Sequence, residues 1–390
     1  MSLGVYIQVP FCQTKCTYCN FHTGVVSRER YAPYAAAVRR EIDAFFADLK
    51  NGELREARID TAYFGGGTPS LLDPAELAGM LAALRPRFTQ DAAPEVTLEA
   101  DPETIDAAKA AAWRGAGFNR ISLGAQSFHD AELRAAGRMH RRADIFSAVG
   151  ALRDAGLRNI SMDLIAGLAH QTRESWAESM GELLEIRPEH VSIYMLEIDE
   201  GSRLGKEALA GGKRYSAGAI PEDDEIADFY ESARARLADA GYEHYEISNW
   251  ALPGKRSRHN LKYWRREAYL GFGAGAHSFD RRTRWANLHD AARYVACVEQ
   301  GISTREQMEA VTPAQALEEE FFLGLRQLEG IDLHRIERNY ERELGEQIAA
   351  LTNRLRELRE HGLIEMDGAR VRLVPERLTV SNEVFTELME

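Results

Sequence analysis

Short apolar runs alternate with amphipathic stretches over the first two-thirds of the 390-residue chain. The apolar runs have the length of β-strands, which predicts strands at residues 5–9, 61–64, 96–100, 120–123, 160–165 and 191–196. Apolar residues at helical spacing predict helices at residues 31–49, 74–84, 105–114, 143–155 and 174–184. This alternation indicates right-handed crossovers and a parallel sheet, with functional residues at the carboxyl ends of the strands. Six such units fit a partial barrel or a doubly wound sheet, and the pattern alone does not separate the two.

The alternation stops after a further helical stretch at residues 223–240. Residues 252–280 are rich in glycine, arginine and aromatic residues, and we predict irregular structure there. Helices dominate from residue 313, and residues 355–375 indicate a helix, a turn and a short hairpin. We therefore expect an α/β domain at residues 1–250, a connecting segment at 251–310, and a smaller, mainly helical, winged-helix-like domain at 311–390.

Composition and charge narrow the classes of function. Hydrophobic residues make up 45% and charged residues 28%, as in soluble globular proteins. We find no apolar run of membrane-spanning length and no secretory signal in MSLGVYIQVPF, so we expect a cytoplasmic protein. A peripheral membrane contact stays open. The net charge of −13 and the acidic run at residues 318–320 argue against nucleic acid as a partner.

Three of the four cysteines, Cys12, Cys16 and Cys19, lie at C-x3-C-x2-C spacing directly after the first predicted strand. A disulfide framework would need an even, dispersed set, and Cys297 fits a small buried apolar residue. Three thiolates on one loop fit a [4Fe–4S] cluster in which one iron lacks a protein ligand. The alternative is a zinc site closed by His22, although zinc ligands usually come from two separated pairs.

Glycines or polar residues mark the ends of successive predicted strands. They are Gly66, Gly67 and Thr68 after the second strand, Glu99 at the third, Gln126 at the fourth and Asp163 at the fifth. One such polar residue is often a hydrogen-bonded core group. Three in successive units at one edge of a sheet favour a shared ligand, and glycines let the backbone approach that ligand closely.

The cysteine loop, with Tyr18 just before its last cysteine, resembles that of the radical-SAM superfamily. The resemblance implies a partial (β/α)6 barrel in which the open iron binds S-adenosylmethionine (SAM). It also implies an electron donor, because reduction of the cluster cleaves SAM to a radical. The SAM contacts that it implies are Tyr6, Tyr18, Gly66, Gly67, Thr68, Glu99, Gln126, Arg138 and Asp163.

Nearly the whole chain resembles the oxygen-independent coproporphyrinogen III oxidase-like family, through YIQVPFC, GGGTPS, LEADPETI, GFNRISLGAQSF, DLIAGL, YMLEIDEGSRL and YEISNWA. That family contains haem chaperones, which transfer haem to acceptor proteins, and dehydrogenases, which decarboxylate coproporphyrinogen III oxidatively. The dehydrogenases are expected to have a fourth cysteine where this chain has Phe21, and an N-terminal arm before the first strand. We favour a haem chaperone, with the dehydrogenase as the alternative, so whether the chain is an enzyme stays open. Ala169 and His170 replace the usual Pro-Gly pair of the family.

A second motif supports the chaperone prediction. Residues 259–264 match the HNxxYW pattern of the haem chaperones, which gives His259, Asn260, Tyr263 and Trp264 as candidate haem contacts. His277 is a second candidate iron ligand. We expect a basic patch to bind the haem propionates; its members are Lys255, Arg256, Arg258, Lys262, Arg265, Arg266, Arg281, Arg282 and Arg284. The expected partners are haem, an acceptor protein (a respiratory haem protein is one candidate) and the electron donor.

Overall fold

The computed structural model describes residues 2–49, 52–90 and 93–389. Its largest element is a twelve-stranded sheet whose centre consists of six parallel strands in sequential order. These strands are β1 (Ser2–Val9), β2 (Arg58–Gly66), β3 (Glu95–Ala100), β4 (Arg120–Gln126), β5 (Ile160–Ala166) and β6 (His190–Met195). Each coincides with a predicted strand, which confirms the α/β prediction.

Helices connect these strands and follow the last of them. They are α1 (Tyr31–Asp48), α2 (Glu53–Glu56), α3 (Pro74–Leu84), α4 (Ala107–Ala116), α5 (Asp130–Ala135), α6 (Arg142–Asp154), α7 (Arg173–Ile186), α8 (Arg203–Leu209) and α9 (Asp223–Asp239). Local chemistry sets their ends: the Asp73 carboxylate accepts from the Ala75 N–H before α3, and Gly117 ends α4 at a φ of 106°.

The prediction of irregular structure at residues 252–280 is wrong, because this part of the chain extends the sheet. The further elements are β7 (Glu243–Glu246), β8 (Asn249–Ala251), α10 (Arg258–Trp264), β9 (Tyr269–Phe272), β10 (His277–Phe279), β11 (Thr283–Asn287), α11 (Ala291–Glu299) and β12 (Arg305–Ala310). Strand β9 pairs in parallel with β1, and β10, β11 and β12 continue antiparallel from it. Strands of three to five residues are too short to show a period in the sequence. The division at residues 250 and 310 stays a prediction.

The C-terminal part has the predicted helix, turn and hairpin. Its elements are α12 (Pro313–Gly324), β13 (Ile331–Asp332), α13 (Leu333–Glu360), β14 (Ile364–Asp367), β15 (Arg370–Leu373) and α14 (Ser381–Met389). Glu319 binds Arg266 at 2.7 Å and Arg284 at 2.9 Å, so the acidic run packs against the larger part of the chain. Among the described helices, α13 included, none combines the length and apolar character needed to cross a membrane.

Alternate residues of β1 face opposite sides of the sheet. Val5, Ile7 and Val9 are fully buried under the outer helices, whereas Tyr6 and Gln8 are half-buried. Tyr6 stacks on the His259 ring of α10, with 6.3 Å between ring centroids. A Cβ atom at Gly4 would lie 2.9 Å from the Lys262 side chain. Helix α10 therefore closes the interior of the sheet at the level of Gly4, towards the amino ends of the strands.

Candidate functional site

The cysteine loop follows β1 and is closed at its base. The Cys12 N–H donates to the Gly24 carbonyl at 3.0 Å, and the Gly24 N–H donates to the Pro10 carbonyl at 2.8 Å. Thr17 fixes the middle of the loop, because its N–H donates to Ala136 and its carbonyl accepts from Leu204. Burial raises the pKa of the Cys12 and Cys19 thiols. The loop thus holds three half-buried thiols at the carboxyl ends of the parallel strands.

The glycines after β2 are required by the start of this loop. A Cβ atom at Gly67 would lie 2.5 Å from the Phe11 carbonyl oxygen and 2.8 Å from that of Val9. The Gly67 N–H donates to the Val9 carbonyl at 2.9 Å, so the two segments run in direct contact. Gly66 has a φ of 106°, a backbone conformation that favours glycine. The predicted glycine segment therefore supports the cysteine loop.

Glu99 connects β3 to this glycine segment. Its carboxylate accepts from the Tyr63 hydroxyl at 2.8 Å and from the Gly66 N–H at 3.0 Å. Burial raises the pKa of Glu99 to about 7, although both hydrogen bonds favour the charged form. Tyr6 stacks on the ring of Tyr63, the residue whose hydroxyl donates to this carboxylate, with 5.8 Å between ring centroids.

Arg138 joins the cysteine loop to the ends of β3 and β4. Its Nη1 donates to the Cys16 sulfur at 3.5 Å, and its Nη2 donates to the Gly124 carbonyl at 2.9 Å and to the Asp101 carboxylate. Asp101 also accepts from the Thr68 hydroxyl at 3.0 Å. Burial opposes the charge on Arg138, but the negative Asp101 raises the pKa of the guanidinium well above its usual value. Cys16, Thr68 and Arg138 therefore lie together around Asp101.

Asp163 on β5 and Gln126 at the end of β4 are two further predicted residues of this site. Asp163 Oδ2 accepts from the Ser122 hydroxyl at 3.4 Å, whereas Oδ1 is buried without a partner in the described residues. Burial raises the pKa of this carboxyl, and Ser192 lowers it. Gln126 has a φ of 65°, an uncommon conformation for a residue other than glycine. A buried carboxylate oxygen without a partner is a group that a bound polar ligand would satisfy.

The structure adds side chains that the sequence prediction missed. Asp101 lies two residues after Glu99 in the same motif, so its position at a strand end was the available signal. Tyr194, near the end of β6, pairs with Ile165 of β5 and is 44% exposed. Tyr18 packs on the small apolar cluster of Ala136, Ile165 and Leu168.

The residues present fit a [4Fe–4S] cluster and SAM. Three thiols share one loop beside a guanidinium, and polar groups with one buried unpartnered oxygen lie next to them. Within the described ranges, no three His, Cys, Asp or Glu side chains are spaced to hold one metal ion. A cubane differs from zinc because each thiolate binds a different iron. The His22 ring instead packs on His289, with 4.5 Å between ring centroids.

The HNxxYW motif forms helix α10 inside the fold. The His259 ring bonds Thr61 Oγ1 through Nδ1 at 2.9 Å and the Tyr263 hydroxyl through Nε2 at 2.9 Å, and the residue is 1% exposed. Burial lowers the pKa of His259 to about 3. The Asn260 N–H donates to the Ser257 hydroxyl, which caps the start of the helix, and the Arg326 guanidinium lies over the Trp264 ring. Iron ligation by His259 would require one of these ring bonds to break and the buried ring to become accessible, so it stays a prediction that this geometry does not support.

The predicted basic patch is largely neutralised. Arg256 binds Glu243 and Glu329, Lys262 binds Asp60 and Glu267, and Arg266 and Arg284 bind Glu319. Asp60, Glu319 and Glu329 come from distant parts of the chain, so the sequence around the patch does not show that its cations are paired. His277, in contrast, is exposed.

The turn after β5 takes its own form around Ala169 and His170. His170 has a φ of 71°, and its N–H donates to the Ala219 carbonyl at 2.8 Å. The Gln171 side chain accepts from the Gly167 N–H at 2.6 Å, which closes the turn. His170 itself is exposed, and its Nε2 bonds Ser216 Oγ at 3.0 Å.

Comparisons with known proteins identify the family of the chain. The model of the radical SAM superfamily matches residues 6–183, and that of the HemN C-terminal domain matches residues 311–376. The chain is 33% identical to the haem chaperone HemW of Bacillus subtilis, over 98% of both proteins. It is 32% identical to HemW of Lactococcus lactis, over 99% of this chain and 97% of that protein. The Escherichia coli coproporphyrinogen III oxidase HemN, a radical SAM enzyme, has the same fold, with a TM-score of 0.84, 22% identity, and coverage of 99% and 89% of the two chains.

Proposed function

The chain belongs to the HemW-type proteins of the radical SAM superfamily, and from that membership we propose that it is a haem chaperone that carries a [4Fe–4S] cluster and SAM. Its proposed partners are haem, an acceptor protein for haem and a one-electron donor, in the cytoplasm. The observation that carries the cofactor part is the Arg138 guanidinium, which contacts Cys16 and Asp101 at once. It links the loop of the cluster cysteines to the strand ends predicted to bind SAM.

Each group at this site has a proposed task. Cys12, Cys16 and Cys19 hold three irons, and the bound cluster and SAM supply one-electron chemistry. The Arg138 guanidinium offsets the negative charge of the Cys16 thiolate. Asp163 offers its unpartnered Oδ1 to a donor on SAM. All the side chains with these proposed roles therefore come from the cysteine loop and from the carboxyl-terminal side of the parallel sheet.

Two features favour the chaperone over the dehydrogenase. The relatives named above, at 32–33% identity over nearly the whole chain, are haem chaperones. Phe21, at the position where a dehydrogenase is expected to have a further cysteine, is 66% exposed at the rim of the cysteine loop. Exposed aromatic area of this kind suits contact with a flat apolar ligand or a partner protein.

One anaerobic experiment separates the two functions. The reconstituted full chain is incubated with dithionite, SAM and coproporphyrinogen III, and decarboxylated product is assayed by chromatography. In parallel, ferric haem is titrated against the same preparation and followed by absorbance. We expect saturable haem binding and no product. Decarboxylated product would overturn the chaperone proposal, and so would the absence of saturable haem binding.

A further inference from the structure

An open cavity of about 770 Å³ lies beside the cysteine loop. Its wall is formed by residues of that loop between the cysteines, by α5, by the turn at His170, and by α8 with the segment after it. None of the candidate SAM contacts lines it. The cavity is therefore a second feature of the surface around the same loop.

Four cations line this cavity, and no carboxylate does. They form a cationic face that consists of Lys15, Arg134, Arg203 and Lys213. The last three are exposed, and none of the four is in an ion pair with a residue that the structure describes. This differs from the surroundings of α10, where most cations are already paired. Unpaired cations on one face, in a chain of net charge −13, attract an acidic partner to that face.

The carboxylates of α5 and α8 do not cancel this charge, because each accepts a hydrogen bond from outside the cavity lining. Glu132 is buried and accepts from the Ser127 hydroxyl at 2.6 Å. Asp130 and Glu207 accept from backbone N–H groups, at 2.9 Å in both cases. The two helices thus present their cations, and not their carboxylates, to the cavity.

Backbone hydrogen bonds hold the cationic face against the cysteine loop. The Thr17 N–H donates to the Ala136 carbonyl after α5 at 3.0 Å, and the Thr17 carbonyl accepts from the Leu204 N–H of α8 at 2.8 Å. Arg134 is two residues before the first of these partners, and Arg203 is directly before the second. Both arginines are therefore fixed to the residue that follows a cluster cysteine.

The same face comes close to two of the three cluster ligands. A Cβ atom at Gly137, in the cavity lining, would lie 3.6 Å from the Cys16 Cα atom. Lys15 Nζ donates to the Phe21 carbonyl at 3.4 Å and so connects the two ends of the segment that contains Cys16 and Cys19. The rate of electron transfer falls steeply with distance. A redox group seated on the cationic face would be near enough to the cluster to exchange electrons with it.

We propose that the cationic face docks an acidic protein that donates one electron to the cluster. The inference rests on the proposed function, which requires a one-electron donor, and names the place where that donor binds. In this step the reduced carrier loses one electron, and the cluster gains it on passing from [4Fe–4S]²⁺ to [4Fe–4S]⁺. Three exposed cations favour a protein over a small anion, because small-molecule sites bury most of their ligand. Electron-transfer partners instead meet through small contacts that charge steers.

The test uses flavodoxin, a small acidic flavoprotein, as the probe. The anaerobically reconstituted full chain is reduced with dithionite, freed of excess reductant and mixed with oxidised flavodoxin, whose flavin absorbance reports electron transfer. Transfer in this direction passes through the same docked complex as transfer to the cluster, so its second-order rate constant measures docking. The measurement is made at low and at high salt.

Two charge variants are compared with wild type. Arg134→Glu with Lys213→Glu reverses two charges of the cationic face. Arg114→Glu with Arg158→Glu makes the same change of net charge at two exposed positions, near the end of α4 and just before β5, at the amino ends of the parallel strands. We expect the first pair to lower the rate constant at low salt by about tenfold or more, since charge steering raises association rates by about 10–10³. The second pair should keep the wild-type rate constant, and high salt should reduce the difference between wild type and the first pair.

A small uncharged quinone as electron acceptor controls for damage to the cluster, and all three proteins should reduce it at the same rate. Equal rate constants with flavodoxin in the two charge variants would overturn the inference, and so would a wild-type rate constant that salt leaves unchanged. A loss of rate with flavodoxin and quinone alike would place the effect on the cluster and not on docking, which also overturns it. Binding of inorganic triphosphate that only the first pair loses, with equal electron transfer in both variants, would overturn it in favour of a small-anion site. The proposed function is tested separately, because the haem titration and the response of the cluster to SAM do not involve flavodoxin.

Discussion

Arg138 Nη1 donates to the Cys16 sulfur at 3.5 Å while the same guanidinium binds Asp101. This contact makes Arg138 the link between the cysteine loop and the strand ends. We expect Arg138→Gln to weaken SAM binding by about tenfold, since a charge-assisted hydrogen bond contributes about 1.5–3 kcal/mol. Isothermal titration of SAM into the reconstituted protein measures the change. Arg142→Gln, which breaks an exposed ion pair with Glu182, is the matched control. Equal SAM affinity in the two variants would contradict the linking role.

A substitution at Gly67 tests whether the glycine segment after β2 supports the cysteine loop. A Cβ atom there would lie 2.5 Å from the Phe11 carbonyl oxygen, so Gly67→Ala must displace the segment that leads to Cys12. We expect iron and sulfide content after reconstitution to fall by about half or more. Gly150→Ala, on α6 with no heavy atom within 4 Å of the added Cβ, should keep full cluster content. Normal cluster content in Gly67→Ala would show that the contact is dispensable.

Because the pKa of Glu99 is raised, we predict that the free energy of unfolding depends on pH. Its pKa is about 7 in the folded chain and ordinarily 4.5, so the folded state binds a proton more tightly than the unfolded state. This group therefore stabilises the fold fully below pH 4.5 and loses that contribution as the pH rises through 7. Relative to wild type, Glu99→Gln should gain roughly 2 kcal/mol of unfolding free energy between pH 5 and pH 8. Urea unfolding of the cluster-free wild type and variant at both pH values measures this gain. If the two proteins differ in unfolding free energy by the same amount at pH 5 and pH 8, the pKa of Glu99 is not raised.

We predict that replacing His259 lowers the free energy of unfolding without changing the ligation of the haem iron. Replacing it by alanine removes the hydrogen bonds to Thr61 and Tyr263 and leaves a cavity. We expect His259→Ala to lower the unfolding free energy by about 2–4 kcal/mol and to leave the Soret position of bound haem unchanged. His334→Ala, at a side chain that is 71% exposed, controls for loss of a histidine. A Soret shift in His259→Ala would restore His259 as the iron ligand.

Much of the fold and part of the site could be predicted from the sequence, because local pattern determines them. The strands β1–β6 have apolar runs, and Cys12, Cys16 and Cys19 are adjacent in sequence. The short strand β9 and the paired state of Arg266 could not be predicted. Both depend on partners from distant segments, β1 for the strand and Glu319 for the guanidinium. The burial of His259 was missed for the same reason, since Thr61 lies 198 residues away.

The central claim is that Cys12, Cys16 and Cys19 hold one [4Fe–4S] cluster whose open iron binds SAM. The most direct measurement is electron paramagnetic resonance of the dithionite-reduced, reconstituted chain, with and without SAM labelled with ¹⁵N at its amino group. We predict a signal of a reduced [4Fe–4S] cluster that shifts on addition of SAM and couples to the label. Cys→Ala at any of the three positions should abolish that signal. A cluster signal that SAM leaves unchanged, with no coupling to the label, would contradict the account.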